Sequence, residues 1–157
     1  MSVLLDCFRF TPVRLSTRSL ALLALLLVAS LSPAALGDVV ITDPYFRETP
    51  PGQERTAGFF VATNDSKQDC VLVAASAPGI ERLELHEHRH EGGMMRMREV
   101  ETLPLPAAGT LELRPGGYHL MGFGVSPLTA GDTVAVNLDF GGCGAQTVPF
   151  SVVDPRR

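Results

Sequence analysis

Outside residues 86–121 this chain has no histidine, and its only methionine there is the initiator. Imidazole chemistry is therefore confined to one short stretch. The chain also lacks a recognisable catalytic triad, so nothing points to a nucleophile-and-base enzyme. No segment after residue 37 keeps apolar residues at helical spacing for three turns, which excludes a helical bundle. Internal repeats and low-complexity linkers are missing as well. Cysteine is scarce, at Cys7, Cys70 and Cys143 only.

The amino terminus accounts for one of those cysteines. Arg9, Arg14 and Arg18 precede a mostly apolar run from Leu20 to Leu31, followed by Ser32-Pro33-Ala34-Ala35-Leu36-Gly37. This is the layout of an export signal, with small residues at the cleavage site. The run is shorter than the roughly 20 residues needed to span a bilayer. No Arg-Arg pair is present, which favours the general secretory route, and no cysteine stands where a lipoprotein acceptor would follow the run. The expected organisation is a signal peptide over 1–37 and a single domain over 38–157, in the periplasm and without stable membrane insertion.

Loss of residues 1–37 takes the 13 basic and 17 acidic residues to 10 and 16, a net charge of −6. Nucleic acid is excluded as a partner by that sign. An oxidising compartment favours a disulfide between Cys70 and Cys143. Free thiols, one of them a copper ligand, are the alternative.

After residue 37, period-two alternation recurs between turn residues. Val134, Val136, Leu138 and Phe140 alternate with Thr133, Ala135, Asn137 and Asp139, as in a strand with one face on a core. Further strands are expected at 39–42, 57–63, 70–75, 81–88, 94–100, 110–113, 118–123 and 145–152. The proline-containing stretches Thr49 to Gly52 and Leu103 to Ala107 read as edge or loop segments. Eight or nine short strands predict an all-β Greek-key sandwich or barrel.

Strand geometry also sorts the histidines and methionines. Successive side chains alternate faces, so Leu83 and Leu85 point one way while Glu84, His86, His88 and His90 point the other. His119 and Met121 share a face, as do Met95 and Met97, with Met94 opposite them and assigned to core packing. Imidazole with thioether is a borderline-to-soft donor set that suits copper, and Cu(I) above all, over zinc, calcium or magnesium. The run His86-Glu87-His88-Arg89-His90 could instead hold Zn(II) or Cu(II) through imidazoles alone.

His86 is followed by ten residues and Met97, then by twenty-one residues and His119-Leu120-Met121. This spacing, with flanks such as Leu85-His86-Glu87, Met94-Met95-Arg96-Met97-Arg98 and Leu113-Arg114-Pro115-Gly116-Gly117-Tyr118, resembles the periplasmic copper chaperones called PCu(A)C. The resemblance covers essentially the whole of 38–157. It implies a cupredoxin-like β fold and one Cu(I) held by His86, Met97, His119 and Met121. It also implies delivery of copper to another periplasmic protein, in some relatives at the CuA centre of cytochrome c oxidase, so the expected partner is cytochrome c oxidase subunit II or another copper carrier. His88, His90 and Met95 stand outside that signature as secondary candidates, with Cu(II) as the cargo of a histidine-only site. The remaining alternatives are an exported His-based Zn(II) or Cu(II) buffer and a metal-free structural β module.

Overall fold

Apolar side chains at every second position leave one face of most segments needing cover, and the eleven strands among the described residues supply it. The computed structural model describes residues 39–154. The expected export signal lies outside the described residues. The strands are β1 (Val39–Arg47), β2 (Arg55–Asn64), β3 (Cys70–Leu72), β4 (Ala74–Ala77), β5 (Ile80–Glu91), β6 (Met94–Glu99), β7 (Leu103–Leu105), β8 (Thr110–Leu113), β9 (His119–Val125), β10 (Thr133–Asp139) and β11 (Ala145–Val153).

Seven strands close a ring in the order β1, β11, β10, β4, β5, β9, β2, because β1 pairs with β11 in parallel and with β2 antiparallel. Of the two forms expected, sandwich and barrel, the chain adopts the barrel. β1 bonds along both edges at Tyr45 and Phe46, and its register with β2 shifts between Thr42 and Tyr45, around a positive φ at Asp43. β8 extends from β2, and β6 extends from β5 as the outer arm of a hairpin. The interior is filled by Phe46, Phe60, Phe140, Phe150, Leu72, Leu120, Val136 and Leu138. Gly58 makes room for this packing: a Cβ there would lie 2.5 Å from the Phe46 ring.

One expectation for the strands changes in the structure, and the Leu103 to Ala107 stretch takes the edge form of the two expected. The segment expected as one strand over 70–75 divides at Val73, β3 leaving the barrel to pair with β7 in a separate two-stranded sheet. That makes Leu103–Leu105 a strand, with Pro104 exposed between two buried leucines. Proline is tolerated because this sheet has only two strands. Asn64 binds β7 in place, its buried amide donating to the carbonyls of Leu105 and Pro106. Cys70 and Cys143 are disulfide-bonded, joining β3 to the short 3-10 turn between β10 and β11. No helix among the described residues is long and apolar enough to cross a membrane.

Candidate metal centre

β5 and β9 are adjacent antiparallel strands, and their register places His86 directly opposite His119 and Glu84 opposite Met121. On the far side of β9, Met121 faces Ala57 of β2. On the far side of β5, Met97 of β6 faces His88. Cross-strand partners share a face, so His86, His88, Met97, His119 and Met121 all lie on the outer face of the barrel. Leu83, Leu85 and Leu120 take the inner one, as alternation predicts.

The outer face is nonetheless covered at the two central histidines. His119 is 2% exposed and His86 is 8% exposed. Phe59 and Phe123 flank them, with ring centroids 6.4 Å from His119 and 6.2 Å from His86 respectively. The two imidazoles are 5.7 Å apart, and His88 stacks on His119 at 4.8 Å. Met97, His119, Met121 and His88 line an open cleft of about 520 Å³, with Phe59 and Pro115 among its walls.

Hydrogen bonds set the state of each ring. His119 Nδ1 donates to the carbonyl of Gly117 at 3.2 Å, which leaves Nε2 as a lone pair, buried and without a partner. His86 Nε2 donates to the Glu84 carboxylate at 2.8 Å, which leaves Nδ1 in the same condition. Glu84 is itself held by an ion pair with Arg82. An imidazole whose one nitrogen is tied to a carboxylate or carbonyl, and whose other nitrogen is bare, is oriented as a metal ligand. Left without a cation, such a buried lone pair carries a desolvation cost of about 1–3 kcal/mol.

Charge agrees with this arrangement. Burial, against the opposing Gly117 hydrogen bond, holds the His119 pKa below the usual histidine value and so favours the neutral ring. The His86 hydrogen bond, with Arg82 behind it, holds Glu84 below the ordinary carboxylate range.

The turn before β9 contributes twice. Gly116, at φ +78°, reverses the chain in Pro115-Gly116-Gly117, where a side chain would be strained. The Gly117 carbonyl then accepts from both His119 Nδ1 and the backbone N–H of His88.

The other sequence candidates fall on the β5–β6 hairpin. Met95 is exposed and lies opposite His90 in the register. Met94, expected in the core, is 58% exposed, which corrects that expectation. β6 pairs only with β5, so both its faces meet solvent and there is no core for Met94 to fill. Glu84 and the Gly117 carbonyl were missed by sequence reasoning. Glu84 had a legible signal, since it lies two residues before His86 on the same face. Among the described residues, and in the arrangement seen here, no three His, Cys, Asp or Glu side chains are grouped around one point.

The family model described as "Putative lipoprotein LpqE-like" matches residues 39–152. A relative named "Putative lipoprotein Lxx21020", from Leifsonia xyli subsp. xyli, is 33% identical over 105 residues. That match covers 66% of this chain and 63% of the relative, so the chain spans less than two thirds of it. The solution structure of CuI-DR1885 from Deinococcus radiodurans is similar at a TM-score of 0.62 and 32% identity, over 81% of this chain and 87% of that one. The copper-bound PCuAC domain from PmoF2 has the same fold, at a TM-score of 0.65 and 20% identity, over 77% of this chain and 97% of that one. With a family match running from β1 almost to the end of β11, on a cupredoxin-like β-barrel of the PCuAC type, the chain belongs to the LpqE-like family.

Proposed function

We propose that this protein is an exported copper chaperone. It binds one Cu(I) through His86 Nδ1, His119 Nε2 and the thioethers of Met97 and Met121, and hands it to an acceptor protein in the periplasm. The observation that carries the reading is the pair of buried, unpartnered imidazole nitrogens on facing strands, each ring oriented through its other nitrogen, beside two thioethers. Two neutral imidazoles and two neutral thioethers suit a soft monovalent ion. Similarity to CuI-DR1885 supports the same cargo.

Unequal exposure orders the release. Met97 is 47% exposed on a strand paired along one edge, whereas His119 is almost fully enclosed. An incoming thiolate or imidazole reaches the ion through the open cleft and displaces Met97 first. The buried histidines let go last, so copper passes by stepwise ligand exchange and is not released free. No bond in an organic substrate is made or broken. The acceptor is a copper-binding protein such as cytochrome c oxidase subunit II, at its CuA centre, or a second copper carrier.

The test is an anaerobic Cu(I) titration against a competing chelator, on the wild type, Met97→Leu and Met121→Leu. Each leucine variant is expected to bind more weakly, and unchanged affinity in both removes the thioether site. Zn(II) binding of comparable strength would shift the assignment to a histidine-based buffer. Loss of CuA loading on deletion of the gene would identify the acceptor.

A further inference from the structure

His88 is a third imidazole that the four-ligand site does not use. Its Nδ1 is buried and has no hydrogen-bond partner. Its ring stacks on that of His119, 4.8 Å away at 21° between planes. It lines the same cleft as Met97, His119 and Met121, and it faces Met97 across the β5–β6 register. The backbone beneath it is pinned by its N–H donating to Gly117 O, the carbonyl that also orients His119. A solvated surface histidine needs none of this. A ring that merely packed would lose little by turning its bare nitrogen to the open cleft.

We infer that His88 is the ligand through which this site also holds copper in its oxidised form. The inference rests on the proposed Cu(I) site. Cu(II) favours imidazole nitrogen and takes tetragonal arrangements, whereas thioether sulfur selects Cu(I). In the stacked arrangement the three imidazoles are not yet grouped around one point. In the inferred Cu(II) state His88 turns out of that stack and offers its bare Nδ1 to an ion shared with His86 Nδ1 and His119 Nε2. The outcome is a three-nitrogen Cu(II) site and a two-nitrogen, two-sulfur Cu(I) site that share two ligands. Exchange of His88 for Met97, cross-strand neighbours on one hairpin, converts one into the other without moving the barrel. A carrier in an oxidising compartment then keeps its cargo whichever oxidation state it meets.

The experiment measures Cu(II) and Cu(I) separately on the wild type, His88→Ala, His88→Asn and, as a control, His90→Ala. Folding of each apo variant is checked by its thermal midpoint. The wild-type Cu(II) electron paramagnetic resonance spectrum is expected to show three coupled nitrogens. His88→Ala and His88→Asn are expected to show two, and to bind Cu(II) more weakly by over about tenfold. Their Cu(I) affinity, from anaerobic competition, is expected to fall by clearly less than their Cu(II) affinity, since the His88 ring packs on His119 but supplies no atom to the Cu(I) set. Unchanged Cu(II) affinity in the His88 variants, or a loss seen in His90→Ala instead, overturns the inference while leaving the Cu(I) reading intact. Equal losses of Cu(I) and Cu(II) also overturn it, since His88 would then serve both states. Absence of Cu(I) binding in the wild type would remove the copper-chaperone reading itself.

Discussion

The two faces of β5 and β9 are built from the same strands and the same register, yet they end in opposite conditions. On the inner face Leu85 and Leu120 are buried among apolar neighbours. On the outer face His86 and His119 are buried nearly as deeply, but three imidazole nitrogens there have no partner. Burial of carbon is favourable in proportion to area, whereas burial of an unmet lone pair is not. The inner face therefore supplies stability and the outer face holds a deficit that a cation would relieve.

Adjacent residues in β9 separate these roles most sharply. Leu120→Ala should cost about 3 kcal/mol of stability, as truncation of a fully enclosed leucine does, and chemical denaturation would measure it. The folded Leu120→Ala protein should keep its Cu(I) affinity within about twofold. His119→Gln should do the reverse, lowering Cu(I) affinity by about a hundredfold or more while changing stability by no more than about 1 kcal/mol. If Leu120→Ala also abolished copper binding, the division between the faces would fail.

A smaller effect tests the orientation of His86. Glu84→Gln keeps the shape of the side chain but weakens its hold on Nε2–H, and should reduce Cu(I) affinity by about tenfold. Arg82→Gln, one step further out, should do less. Equal affinity in Glu84→Gln and wild type would mean that the ring is held by packing alone.

The smallest effect lies in the acid response of the apo protein. His119 has its folded pKa lowered below the ordinary 6.5 by burial, so the unfolded chain binds a proton that the folded one refuses. Stability from this group is full above that value and declines as the pH falls below it, toward the lowered folded pKa. Glu84, also lowered, adds a second loss as the pH falls below 4.5. Urea midpoints at about pH 7, 6 and 5 should decline in the wild type and decline less in His119→Gln. Identical slopes would show that the buried ring does not carry the effect.

Much of the fold was legible because strand faces are a local property. Val134 to Phe140 announce their buried side by alternation alone, and the outward direction of His86 and His88 followed in the same way. The β7 strand was not legible, since Pro104 hides a three-residue ladder that exists only because β3 turns aside to meet it. Met94 misled for a related reason: a methionine in a strand has no sign of whether a second layer lies above it. For the proposed centre, the imidazole and thioether chemistry of His86, Met97, His119 and Met121 was readable, while the rank of those side chains by exposure was not.

The sequence by itself determined an all-β chain, the side of each strand on which the histidines and methionines stand, and the softness of those side chains as donors. These depend on side-chain direction with period two and on the chemistry of imidazole and thioether, both written residue by residue. Tertiary structure decided that the barrel closes through a parallel pair between β1 and β11, far apart in the chain. It also decided which imidazole nitrogens stay bare, because that depends on where Glu84, Gly117, Phe59 and Phe123 come to rest around two rings on neighbouring strands.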